Sequence, residues 1–171
     1  MNIEARMKAV LGKLDFDFSR FTMDEFVAWI EARRGREINF IPWDMPPGMF
    51  GVWMSDADDP VEHVFIDKNA PSLHKVHIQL HELSHIICGH PTARLTKTEM
   101  QNLLLQAMQN PTVLNEVLLR APAKKELEQE AEMLAALIQY RVIEHERIQQ
   151  LSVAASSNED ITDHLQSLGL V

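Results

Sequence analysis

One helix-forming segment constrains the fold and chemistry of this chain more than any other. From Ser72 to about Cys88, apolar residues recur at intervals of three and four positions, as Leu73, Val76, Leu80, Leu83 and Ile87. That period predicts an amphipathic helix, and the Gly89 and Pro91 that follow are signals that end one. His81 and His85 lie four positions apart on this helix, so both imidazoles project from one face about one turn apart.

The segment His81-Glu82-Leu83-Ser84-His85 has the residue types of a metal-dependent hydrolase. Two neutral imidazoles at this spacing can bind a single tetrahedral zinc ion, which would lower the pKa of a bound water and polarise a carbonyl. Glu82 can take the proton from that water and pass it to a leaving amine without binding the metal itself. The prediction is one zinc ion (Zn2+) on His81 and His85, with Glu82 as the catalytic base. The competing interpretation is an ordinary amphipathic helix that carries two histidines.

A catalytic zinc normally has a third protein ligand and one open position. In one class of zinc peptidase, a histidine six residues after the second one supplies that ligand, but here Pro91 occupies the position. His90 comes one residue too early, beyond the helix-ending Gly89, and is disfavoured. The third ligand is therefore expected from another part of the chain.

Four acidic residues on a later predicted helix are candidates for this ligand: Glu126, Glu128, Glu130 and Glu132. Glu130 shares its helical face with Leu127, Leu134 and Leu137, which predicts that it points toward the core. Because a buried carboxylate without a partner is costly, a metal ion is a suitable partner for Glu130. Glu128 shares a face with Glu132 and is expected in solvent, so it is the second choice. A charged first turn that binds no metal is the alternative for the whole set.

The remaining pattern predicts an α+β fold with a small antiparallel or mixed sheet packed on the histidine helix. Apolar runs at residues 49–54 and 61–66, separated by a polar loop, predict a hairpin, and residues 38–41 predict another strand. Helices are predicted near residues 22–35, and again at 100–108, 111–119 and 123–150. Residues 1–171 are expected to form one domain, with a core at about 22–150 and a helical C-terminal half.

Composition narrows the classes of function. The chain has 171 residues, of which 46% are hydrophobic and 24% charged, and its formal net charge is −9. An acidic chain without a long lysine and arginine run suits a phosphate backbone poorly, so no direct nucleic-acid binding is expected. No apolar run approaches the roughly 18 residues that span a bilayer, so no membrane span is expected. Cys88 is the single cysteine and the first residues lack the apolar stretch of a secretion signal, which predicts a cytoplasmic protein.

These motifs together resemble the ImmA/IrrE family of zinc-dependent peptidases over roughly residues 25–140. Besides the histidine helix, the hairpin end Val64-Phe65-Ile66-Asp67 is similar, as is Glu130-Ala131-Glu132-Met133-Leu134-Ala135-Ala136, which resembles the family's Glu-Ala-Asn-x-Phe-Ala-Ala. The resemblance implies a zincin-like fold with zinc on His81, His85 and Glu130 and with Glu82 as the base. Ser84 stands where the family usually has glycine. The segment at about 96–120 is a helical insertion relative to the family's plainest members.

Family members commonly cleave a helix-turn-helix transcriptional repressor in a stress-response, mobile-element or toxin–antitoxin switch. The resemblance therefore implies a zinc-dependent endopeptidase whose partner is a protein of that kind. The alternative is a non-hydrolytic, zinc-containing regulator that acts by binding another protein. Glu82 favours hydrolysis, because a binding protein needs no base beside the metal. The strand at 61–66 directly precedes the histidine helix, and it can bind an extended substrate segment if it lies at the sheet edge.

Overall fold

The computed structural model describes residues 2–118 and 124–167. Over these residues the chain forms helix α1 (Ile3–Gly12), a short 3-10 helix (Phe18–Arg20), helix α2 (Met23–Arg34), strands β1 (Glu37–Trp43), β2 (Gly51–Asp56) and β3 (Val61–Asp67), helix α3 (Ser72–Cys88), strand β4 (Ala93–Leu95), and helices α4 (Lys97–Gln109), α5 (Pro111–Leu118) and α6 (Lys125–Ser167). The predicted α+β class with a helical C-terminal half is confirmed.

The four strands form one mixed sheet in the order β1-β3-β2-β4. β2 and β3 are the predicted antiparallel hairpin, in which Trp53 lies opposite Val64. β1 joins β3 in parallel, and β4 joins β2 in parallel. β3 is thus bonded to a neighbour on each side. Residues 61–66 therefore do not lie at the sheet edge, which was the condition for their pairing with a substrate segment.

One stretch of sheet edge beside the histidine helix has no strand partner. β4 pairs with β2 only from Met54 to Asp56. On that side the preceding residues of β2, Gly51 to Trp53, face a cleft instead of a strand. The short length of β4 therefore leaves Gly51 to Trp53 without a strand partner on this side, where the N–H and carbonyl of Trp53 bind the side chains of Glu82 and Thr92 instead.

Two apolar layers lie on the two faces of the sheet. Side chains of β3 alternate between them, as the pleat requires. Val64 packs in the layer that contains the buried face of α3, whereas Phe65 packs with Met100, Leu103 and Leu114 of α4 and α5. The inserted helices α4 and α5 therefore cover the face of the sheet opposite α3, and neither of them lies over the histidine side of α3.

The long helix α6 spans 43 residues and packs against both α3 and α1. Its middle is buried, since Leu134, Ala135 and Ile138 are fully inaccessible to solvent. Ala131 is buried in the same way, one turn earlier. This contact brings the acidic first turns of α6 over the histidine face of α3. No helix in the described part of the chain is both long enough and apolar enough to cross a membrane.

Candidate metal centre

The two motif histidines converge at one point. α3 forms over the predicted residues and ends at Gly89, whose φ of 67° is the left-handed conformation that closes a helix. One helical turn separates His81 from His85, and their Nε2 atoms lie 3.1 Å apart. Burial is the main reason that the pKa of His85 falls to about 3, and the neighbouring His81 and His90 lower it further. His85 is therefore neutral near pH 7, which is the form that binds a metal.

Glu128 of α6 completes the group. Its Oε2 lies 3.3 Å from His81 Nε2 and 3.6 Å from His85 Nε2. Zinc bonds of 2.0–2.1 Å at tetrahedral angles would separate neighbouring ligand atoms by about 3.3–3.4 Å. The three separations of 3.1, 3.3 and 3.6 Å bracket that value. Two imidazoles and a carboxylate at these distances form one face of a tetrahedron, a donor set suited to zinc.

The structure does not bring Glu130, the predicted third ligand, to the motif histidines. Glu130 does point inward, with 13% of its side chain exposed, but it binds Arg6 and His90 instead of the motif histidines. The partly buried carboxylate thus has a cation and an imidazole as partners, so it needs no metal. Glu128, the second choice, is the residue that faces His81 and His85.

A signal for Glu128 was present in the sequence. Glu128 and Glu132 lie four positions apart, as do His77 and His81, so two polar stripes can face each other across a helix pair. In the structure His81 contacts both carboxylates, through Nε2 to Glu128 and through Nδ1 to Glu132 at 3.3 Å. Glu132 also contacts His77 Nε2 at 3.1 Å. Glu132 is therefore placed to orient His81 from the side of the ring away from Glu128.

Glu82 is buried beside the histidine pair, with 6% of the residue exposed. Its pKa is raised to about 8, first by burial and then by the negative charge of Glu128, while the hydrogen bond from the Trp53 backbone N–H acts in the opposite direction. Gly51 of β2 makes room for the carboxylate, because a Cβ there would lie 2.6 Å from Glu82 Oε1. A carboxyl held in place with a pKa near neutrality has the properties of a general base.

A cleft of about 590 Å³ opens over these residues. Its floor contains the histidine pair, Glu82 and Glu128, and one wall is the open edge of β2 from Gly51 to Trp53. Met49, Phe50 and Ile78 add apolar surface. The cleft is large enough to hold several residues of an extended chain.

His90 proves to be a neighbour of the site and not a member of the ligand group. Its Nδ1 lies 2.9 Å from His85 Nδ1, on the side of that ring opposite Glu128. The sequence argument against His90 as a ligand agrees with this position. What the sequence did not predict is its contact with a ligand histidine.

Comparisons of the chain with protein-family models, with curated proteins and with solved structures give no match. The geometry of the cleft and the chemistry of its residues therefore carry the functional argument.

Proposed function

We propose that the chain is a zinc-dependent endopeptidase of zincin type that cleaves a protein partner. The observation that carries the proposal is the convergence of His81, His85 and Glu128 at the spacing of zinc ligands, beside the buried Glu82. A zinc ion held there would act as a Lewis acid on a carbonyl and would make water acidic enough to lose a proton near neutral pH.

The protein's own groups then have distinct tasks. Glu82 accepts a proton at its carboxylate and later returns it to the leaving amine. The Trp53 backbone N–H and the space left by Gly51 hold that carboxylate in one place. Glu132 orients His81 through Nδ1. Each task requires a fixed position and no large movement, which suits side chains on a helix and a strand.

The open edge of β2 is the proposed substrate-binding strand, in place of β3. Main-chain groups alternate in direction along a strand. Those of Trp53 point toward the cleft, since its N–H donates to Glu82 and its carbonyl accepts from the Thr92 hydroxyl. Gly51, two residues earlier, presents its main-chain groups in the same direction. A substrate segment that pairs with this edge must be extended and locally unfolded.

A protein with a flexible linker is therefore the favoured substrate, and the resemblance noted above makes a helix-turn-helix repressor the expected example. The alternative of a non-hydrolytic regulator leaves two features without a purpose. These are the buried Glu82, whose carboxylate is costly to keep beside Glu128, and the close fit of Gly51 against it.

The test compares zinc-loaded wild type with Glu82→Gln on two substrates, an unfolded labelled casein and a purified helix-turn-helix repressor, taken from a neighbouring gene where one encodes such a protein. The amide is nearly isosteric, so the variant should keep its zinc but lose at least about 100-fold in cleavage rate. Glu126→Gln, an exposed change on α6, is the control and should cleave like wild type. Cleavage by Glu82→Gln at the wild-type rate would remove Glu82 from the mechanism. A zinc-loaded wild type that cleaves neither substrate would favour the regulator.

A further inference from the structure

A line of polar contacts runs from the N-terminal helix to the metal centre. Arg6 of α1 binds one carboxylate oxygen of Glu130. The other oxygen of Glu130 lies 3.1 Å from His90 Nε2, and His90 Nδ1 lies 2.9 Å from His85 Nδ1. His85 Nε2, across the ring, faces His81 and Glu128. Three elements that are distant in sequence thus meet behind one ligand.

The end of α3 places His90 in this line. Gly89 takes the left-handed conformation with φ of 67°, which turns the chain back on the helix. The His90 backbone N–H then donates to the carbonyl of His85 at 3.1 Å, so both the backbone and the ring of His90 are anchored to the same residue. The His90 side chain is 5% exposed. A ring so enclosed has little freedom to leave His85.

For a neutral His90 ring, the contacts assign one arrangement of protons to the two imidazoles. A carboxylate bound to Arg6 is an acceptor only, so His90 Nε2 must donate to Glu130. In a neutral imidazole the other nitrogen is then an acceptor, so His90 Nδ1 accepts from His85 Nδ1–H. His85 is left with an unprotonated Nε2, the nitrogen that faces Glu128. This is the tautomer a metal ligand needs.

We propose that His90, held by Glu130 and Arg6, is a positioning residue that fixes His85 in the tautomer and orientation for metal binding. The inference rests on the proposed zinc site, but it concerns the protein's own hydrogen bonds and applies before any metal binds. It also gives α1 a role in the site, because Arg6 contributes the positive charge that keeps Glu130 an acceptor. Glu130 is then important for the metal without touching it.

The first experiment reads the tautomer directly. Two-bond 1H–15N spectra of the metal-free protein, with 15N-labelled histidine, assign the proton of each ring. In wild type, His85 should carry its proton on Nδ1. In His90→Phe, which keeps a ring but offers no acceptor, the proton of His85 should move to Nε2. His90→Asn, which restores an amide oxygen near the Nδ1 position, should return it to Nδ1.

The second experiment measures zinc affinity by chelator competition. His90→Phe should bind zinc about 10–100-fold more weakly, which is the usual effect of losing the hydrogen-bond partner of a ligand histidine, and His90→Asn should recover part of the loss. Two matched changes serve if His90→Phe fails to fold, since Arg6 binds both Glu126 and Glu130. Glu130→Gln should weaken binding about tenfold, because Arg6 and His90 contact different oxygens of Glu130 and the amide replaces one of these with an NH2 donor. Glu126→Gln should bind like wild type.

Three results would each overturn the inference. The first is wild-type His85 with its proton on Nε2 in the metal-free protein. The second is unchanged zinc affinity in a folded His90→Phe, and the third is equal zinc affinity in Glu130→Gln and Glu126→Gln. A failure of the proposed peptidase activity is separate from all three, since it would appear as absent cleavage while the tautomer and the affinities follow the expected order.

Discussion

The buried Glu82 should make the metal-free protein less stable as the pH rises. Its pKa lies near 8 in the folded chain and near 4.5 when exposed, chiefly because burial disfavours the charged form. Between these values the folded state holds a proton that the unfolded state has released, so stability falls as the pH increases through this window. Below the lower value Glu82 is protonated in both states, so its ionisation does not reduce the free energy of unfolding.

The magnitude follows from the two pKa values. A difference of one pKa unit corresponds to about 1.4 kcal/mol, so the gap between 4.5 and about 8 sets a ceiling of about 5 kcal/mol on the cost of ionised Glu82. Most of this cost develops between pH 5 and pH 8, where it amounts to about 3 kcal/mol. Glutamine does not titrate. Glu82→Gln should therefore gain about 3 kcal/mol on wild type over this range.

The assay is urea unfolding of wild type and Glu82→Gln in excess chelator at pH 5 and pH 8, with Glu126→Gln as the exposed control. At each pH, the free energy of unfolding of wild type is subtracted from that of Glu82→Gln, and the two differences are compared. The contributions of the other titrating groups are the same in both proteins and cancel in this comparison. A change below about 0.5 kcal/mol would refute the reasoning, since it would mean that Glu82 ionises as easily in the folded chain as in water.

Three further variants test other parts of the account. In chelator competition, Glu128→Gln should lose most of its zinc affinity, whereas Glu130→Gln should bind zinc only about tenfold more weakly than wild type. The reverse order would favour Glu130, the ligand chosen from the sequence. Gly51→Ala should keep its zinc but cleave substrate about 100-fold more slowly. The new Cβ would lie 2.6 Å from Glu82 Oε1 and would displace this carboxylate by somewhat under 1 Å. A cleavage rate equal to that of wild type at equal zinc content would contradict this. Val64→Pro should abolish cooperative unfolding, monitored by circular dichroism, since β3 is bonded on both sides; a soluble, zinc-loaded variant would show that β3 tolerates a broken ladder.

Local signals in the sequence predicted the elements well. The period of apolar residues defined α3, and the polar loop between two strand-like runs defined the hairpin of β2 and β3, because both depend on neighbours in the chain. The convergence of His81 and His85 follows from the same local rule, since a helix places residues four apart on one face.

Features that depend on distant contacts were not predictable from these patterns. The choice between Glu128 and Glu130 depends on the rotation of α6 about its axis, and α6 packs against both α1 and α3. The sequence reasoning predicted that Glu130 points inward, as it does, but not that its partner is Arg6, 124 positions earlier. The interior position of β3 in the sheet likewise depends on its parallel pairing with β1, and the residues of one strand do not indicate which other strand it pairs with.

The zinc content of the purified protein, measured by elemental analysis, is the most direct test of whether His81, His85 and Glu128 bind one zinc ion. Freshly purified wild type, or wild type reconstituted with zinc and then desalted, should contain about one zinc per chain. His81→Ala and His85→Ala, folded by circular dichroism, should contain essentially none. Wild type that neither retains zinc nor takes it up would contradict the account, and so would a full zinc content in either alanine variant.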